Sequence, residues 1–238
     1  MYRIARLPLL AALCALAACN VVVGSGRIET QSREVTAFTK VEVSHAIDAT
    51  ITTGPASLAL TTDDNLLEYV ETRVEGGVLK IGVKEDDWGV VSLHPTRGLR
   101  ARIVAPELVG VAASGASKVL AQATAAERFE AEASGASRIE VSGLVSPEVA
   151  AVASGASELV FTGAGEQLDL ELSGSSTAGL TGLEVDAAKV ALSGASSAEI
   201  AAAKSVAGEL SGASHLKVHG QPAERDVALS GSSSADYQ

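Results

Sequence analysis

From residue 110 onward, apolar and polar positions alternate in short runs on either side of a recurring step of small residues. One and three positions before each step stand Val111/Ala113, Ala131/Ala133, Ala151/Ala153, Leu170/Leu172, Val190/Leu192, Gly208/Leu210 and Val227/Leu229. Five and seven positions after each step begins stand Val119/Ala121, Ile139/Val141, Leu159/Phe161, Ala178/Leu180, Ala198/Ile200, Leu216/Val218 and Ala235/Tyr237. Polar residues such as Glu132, Arg138, Glu158, Glu171, Glu199 and Lys217 fall between them. Alternation with a period of two predicts two short half-buried β-strands per repeat, because successive side chains on a strand point to opposite faces.

The step itself is Ser-Gly-Ala-Ser or Ser-Gly-Ser-Ser. Its glycines are Gly115, Gly135, Gly155, Gly174, Gly194, Gly212 and Gly231, at intervals of 20, 20, 19, 20, 18 and 19 residues. A motif returning seven times at a nearly fixed interval is the signature of a solenoid, whereas a flexible Ser/Gly linker has neither a period nor apolar flanks. Another glycine recurs nine residues after the step begins, at Gly143, Gly163, Gly182 and Gly220, and marks a second bend. The fold expected is all-β: a single-domain β-helix with rungs of 18–20 residues stacked about 4.8 Å apart. The left-handed form repeats a six-residue motif three times per rung, so one motif per rung favours the right-handed form. About eleven rungs are expected at this period. Gly within each step is expected to make a tight inward step, and the serine hydroxyls to bond to one another along the rod.

Residues 33–109 are also all-β but lack the motif, and are expected to form irregular first rungs. Val41 and Val43, Ala49 and Ile51, and Leu58 and Leu60 alternate with polar partners. Residues 70–83 read as a hairpin turning at Gly76-Gly77, and residues 99–106 as a strand leading into the repeats. No linker separates the two halves, so one domain over 33–238 is expected.

Residues 1–18 carry Arg3 and Arg6 and then an apolar run from Leu7 to Ala18, the pattern of a secretory signal peptide too short to span a bilayer. The run ends Leu16-Ala17-Ala18-Cys19, which resembles a bacterial lipobox, so Cys19 is the expected lipidation site. Asn20 in place of Asp points, by resemblance to Gram-negative lipoprotein sorting, to the outer membrane. Residues 19–32 read as a tether. Cleavage before Cys19 removes two arginines and no acid, which moves the formal charge from −11 to −13 and leaves no cysteine for a disulfide.

That acidic balance excludes nucleic acid as a partner, since phosphates are repelled at every approach. The chain has one Trp, three Tyr and three Phe, so its core must be built from Ala, Val, Leu and Ile. Candidate chemistry is sparse. His215 and His219 on a strand stand about 13 Å apart and do not share a metal ion. Asp63-Asp64 and Asp86-Asp87 are acidic pairs whose neighbours point to opposite faces unless a loop gathers them. Asp86, Asp87 and Trp88, in an irregular stretch close in sequence to His94, Arg97, Arg100 and Arg102, form the strongest binding candidate, because an indole can stack on a sugar ring. No Gly-x-Ser-x-Gly elbow is present, and no metal or other cofactor is expected.

The segment 38–43, the hairpin, Ala105-Pro106-Glu107-Leu108 and the serial Ser-Gly-Ala-Ser steps resemble, in order and spacing, the head GIN domain family of auto-transporter adhesins. The resemblance covers residues 33–238. It implies a pectin-lyase-like β-helix in a bacterial envelope protein and a role in adhesion, with no catalytic residues to carry over. The function expected is therefore a non-enzymatic, lipid-anchored envelope protein that binds a glycan or surface protein. The alternatives are a polysaccharide-acting β-helix enzyme using Asp86, Asp87 and the nearby arginines, and a self-associating scaffold.

Overall fold

A computed structural model describes residues 21–86 and 89–238. Its centre is a β-solenoid of about six turns, which replaces the eleven rungs expected from length alone. The difference lies in residues 54–109. Only Val78–Val83 and Leu99–Ala105 continue the parallel stack there, against Lys40–Val43 and Ile47–Thr53; the strand Ser57–Asp63 runs antiparallel, a 3-10 helix Asp64–Tyr69 follows it, and Val70–Glu75 forms an antiparallel hairpin with Val78–Val83. Gly76 and Gly77 turn that hairpin with φ of 58° and 80°, as their place in the sequence requires.

Two parallel sheets face each other across the core. In the first, the strands preceding each step stack in register, so that Val41, Val111, Ala131, Ala151, Leu170, Val190, Gly208 and Val227 form one inward column. In the second, Ile51, Ala121, Val141, Phe161, Leu180, Ile200, Val218 and Tyr237 form another. Volume is shared between the sheets rung by rung. Where the first sheet carries Ala151 and Ala153, the second answers with Leu159 and Phe161; where the first carries Leu170 and Leu172, the second carries Ala178 and Leu180. A close-packed core so poor in rings stays filled because a large side chain on one side meets a small one on the other.

Each Ser-Gly-x-Ser step is the corner joining the two sheets, and the backbone ladder runs through it unbroken. Ser134, Ala136 and Arg138 donate their N–H groups to Ala113, Gly115 and Ser117 of the rung below. The corner glycines have φ between 70° and 77° and are exposed, so they form outward corners instead of the inward step expected from the sequence. Glycine is needed there for two reasons: the left-handed backbone, and the close approach of the next rung, since a Cβ on Gly174 would lie 2.5 Å from the Gly155 carbonyl oxygen. The inward residue is the fourth, a serine that is buried at 117, 137, 157, 176, 196 and 214. Its hydroxyl closes its own corner. Ser157 Oγ donates to the Ser154 carbonyl at 2.8 Å and Ser196 Oγ to that of Ser193 at 2.7 Å, so no hydroxyl-to-hydroxyl ladder forms along the rod.

Residues 21–32, within the segment expected to be a tether, are built into the domain. Val21–Val23 pairs in parallel with Ser92–His94, and Ile28–Arg33 pairs antiparallel with Ser57–Asp63. Their partners lie at least 25 residues away, which is why short-range pattern did not disclose them.

Candidate functional site

Strand alternation decides which side chains of the solenoid face outward. On the first sheet the outward column reads Glu42, Ala112, Glu132, Val152, Glu171, Ala191, Glu209 and Ala228. Acid and small apolar residues alternate without a break. Like charges directly opposite each other on neighbouring strands destabilise a sheet, and alternation doubles the carboxylate spacing to about 9.6 Å. The neighbouring outward column carries Glu130, Asp169, Lys189 and Asp226 among smaller residues. Among the described residues Glu132, Glu171 and Glu209 enter no ion pair. Glu130, nearer the capped end, does: hydrogen bonds from Lys40 and Arg128 hold its carboxyl below the usual carboxylate range.

Where this sheet meets the corners, an open trough of about 470 Å³ runs along the rod, lined by Val152, Glu171, Leu172, Ser193, Leu210 and Leu229. Val152 is 39% exposed there, an apolar side chain between two carboxylates. The surface is therefore flat, acidic and partly apolar.

The second sheet differs in kind, because its charges are matched. Arg138 bridges Glu158 and Glu140, and its hydrogen bond to Glu158 raises the guanidinium pKa further. His215 and His219 point outward to separate acids, at 3.7 Å from Asp236 and 3.6 Å from Glu199, and do not converge on one point.

The acidic pair Asp63-Asp64 is a clasp. Asp63 is buried and accepts hydrogen bonds from Gly26 N–H at 2.7 Å, Thr96 N–H at 2.8 Å and Thr96 Oγ1 at 2.7 Å. Burial opposes its ionisation, but these bonds outweigh that and hold its carboxyl below the ordinary value. Asp64 accepts from Ser25 Oγ and from Arg27, which also lowers its carboxyl, and Asn65 accepts from the Ser25 N–H at 2.9 Å. Their oxygens are spent on fixing residues 23–27 to the domain.

Of the residues singled out in the sequence, Cys19, Asp87 and Trp88 lie outside the described residues. Asp86 lies on a two-residue strand, Glu85–Asp86, paired with Gly89–Val90. Arg100 and Arg102 face outward on Leu99–Ala105, in register with Asp48 and Thr50. Among the described residues no group of three or more His, Cys, Asp or Glu side chains is arranged to hold a metal ion.

One corner went unseen. Ser44-His45-Ala46-Ile47 occupies the place of a Ser-Gly-Ala-Ser step, with Val43 in register with Ala113 and Asp48 with Lys118. His45 and Ala46 take φ of 65° and 58°. The His45 Nδ1 lies 2.7 Å from Ser44 Oγ and 3.4 Å from the Val83 N–H, so the ring stands where the corner of a lower rung would otherwise be.

No curated protein shows significant sequence similarity to the chain. Several solved structures share its fold at low identity. A "putative adhesin" from Bacteroides fragilis has a TM-score of 0.84 at 16% identity, covering 91% of this chain and 100% of its own. A "putative lipid binding protein" from Parabacteroides distasonis has a TM-score of 0.73 at 18% identity, covering 92% and 99%. A "putative adhesin" from Parabacteroides merdae has a TM-score of 0.67 at 18% identity, also covering 92% and 99%. Residues 37–222 match a single family over most of the solenoid and its cap, and the chain belongs to that family, described as "Putative auto-transporter adhesin, head GIN domain".

Proposed function

We propose that this protein is a lipid-anchored adhesin of the bacterial outer membrane that binds without catalysis, through the acidic face of its first sheet. The observation that carries the reading is the column in which Glu132, Glu171 and Glu209 stand unpaired at every second rung, with small apolar residues between them. An ordered row of unneutralised carboxylates on a rigid, flat, open surface suits an extended cationic ligand, such as a basic surface protein or an amino-sugar glycan. Family membership supports the adhesive reading. The spent oxygens of Asp63 and Asp64 speak against that pair as a pair of catalytic acids.

In this reading residues 1–18 are a lipoprotein signal peptide and Cys19 carries the lipid, with two or more acyl chains giving a stable hold on the membrane. Asn20 directs the protein to the outer membrane.

The test is binding of cells bearing the full chain to arrays of basic proteins and amino-sugar glycans. The variant Glu132→Gln/Glu171→Gln/Glu209→Gln is expected to lose at least tenfold in binding, and the wild type to weaken steeply with added salt. Equal binding by the two forms would remove the acidic face from the function. Loss of binding with Trp88→Ala in place of the triple variant would move the site to the irregular stretch at 85–90.

A further inference from the structure

The two ends of the solenoid are finished differently. At the capped end, Leu79 and Ile81 are buried beside the antiparallel hairpin arm Val70–Glu75 and share one core with Val70 and with Leu67 of the 3-10 helix. At the other end, strands Glu224–Leu229 and Ser234–Tyr237 each have a single neighbour. Their inward positions are open. Leu229 is 51% exposed although Leu210, its counterpart one rung back, is buried, and Val227, Ala235 and Tyr237 are only half-buried. Arg225 crosses this end with its guanidinium 4.5 Å from the centre of the Tyr237 ring and leaves the rest uncovered.

The backbone there is equally unfinished. Ser230, Ser232, Ser234 and Gln238 turn their N–H groups back to Leu210, Gly212, Ser214 and Val218. Peptide groups alternate along a strand, so those of the odd-numbered residues Arg225, Val227 and Leu229 face away from the stack, where no described residue meets them. An edge with free donors and acceptors beside exposed apolar side chains is a template for another strand.

We propose that this end binds a second copy of the chain, with Glu224–Leu229 of the two copies paired antiparallel about Val227. The sequence of the strand suits itself in that register. Val227 of one copy stands opposite Val227 of the other, Asp226 opposite Ala228, and Arg225 opposite Leu229, so no like charges face each other. Residues 225, 227 and 229 are the ones whose peptide groups point outward, which is the set that an antiparallel pair centred on Val227 bonds. Because the other end is capped, the contact closes as a two-fold dimer and does not run on into a filament. The two rods then point their N-terminal ends in opposite directions.

The experiment introduces Val227→Cys and, separately, Leu229→Cys into the full chain in bacterial cells, followed by mild oxidation and non-reducing electrophoresis. Residues paired across an antiparallel ladder lie about 5.5 Å apart, within disulfide reach, whereas the two Leu229 positions would lie about 13 Å apart. A disulfide-linked dimer from Val227→Cys, absent from Leu229→Cys and from the wild type, is the expected result. In parallel, Val227→Pro removes an N–H that nothing in its own chain uses. It is expected to halve the mass measured by sedimentation of the detergent-solubilised full chain while leaving its circular dichroism unchanged. A monomeric wild type, a Val227→Pro variant of unchanged dimeric mass, or a cross-link at Leu229 in place of Val227 would overturn the proposal.

Discussion

The corner at Ser44-His45-Ala46-Ile47 and the seven corners between residues 114 and 233 fill the same place in the stack with different chemistry: His45 and Ala46 both take positive φ, whereas in the repeats only the glycine does. In the repeats, another rung lies directly below each corner from 134 onward, and its carbonyl oxygen leaves no room for a Cβ. At His45 the rung below is the hairpin strand Val78–Val83, which turns no such corner, so a side chain fits. The comparison separates two demands that coincide in the repeats. Left-handed backbone alone tolerates histidine at a cost of about 1–2 kcal/mol; close stacking does not. Glycine in this motif is thus a requirement of having a neighbour.

The largest effect expected from this account is that of Gly174→Val. Left-handed strain and overlap with the Gly155 carbonyl together should cost about 3 kcal/mol or more, and thermal unfolding should show it as a large fall in Tm. An unchanged melting curve would mean that the corner is loose.

Acid comes next and acts on the other region. The carboxyls of Asp63 and Asp64 lie below their ordinary value of 3.8 when folded, so the stability they contribute is complete above that pH and is lost as pH falls through their lower folded values. Hydrogen exchange below pH 3.8 should show residues 21–33 losing protection before the repeats do. Simultaneous loss in both regions would deny the clasp its local role.

Ser157→Ala removes one buried hydroxyl that bonds within its own corner, and should cost about 1 kcal/mol in the same unfolding assay. The smallest effect is that of His45→Gly. Relief of left-handed strain offsets the loss of the ring's contacts with Ser44 and Val83, so the net change should stay within about 1 kcal/mol of zero. A loss comparable to that of Gly174→Val would show that His45 holds the first corner in place.

What the sequence disclosed follows the range of the interactions involved. Period-two alternation and a fixed interval are local signals, and they identified the strands, the seven corners, the hairpin at 70–83 and the strand Leu99–Ala105. The eighth corner was hidden because the excursion at 54–109 stretches its interval to the next step to 70 residues, and because glycine, the marker residue, is not needed there. Pairing of Ile28–Arg33 with Ser57–Asp63 and the burial of Asp63 depend on residues distant in sequence, so a built-in segment read as a tether and a structural carboxylate read as a candidate for chemistry. The glycine and serine of each step exchanged their expected roles for a geometric reason: a small-residue step can point its residues either way, and only the stacked carbonyl settles which. The acidic column was written in the sequence as Glu132, Glu171 and Glu209, but its strict alternation with Ala and Val emerges only once the rungs are in register.

Whether the rod is displayed to the outside is decided by protease treatment of intact cells bearing the full chain, with permeabilised cells as the control that the protein can be cut. An adhesin displayed on the outer membrane is cut on intact cells. Protection on intact cells, with cutting only after permeabilisation, would place the rod in the periplasm and contradict the adhesive role.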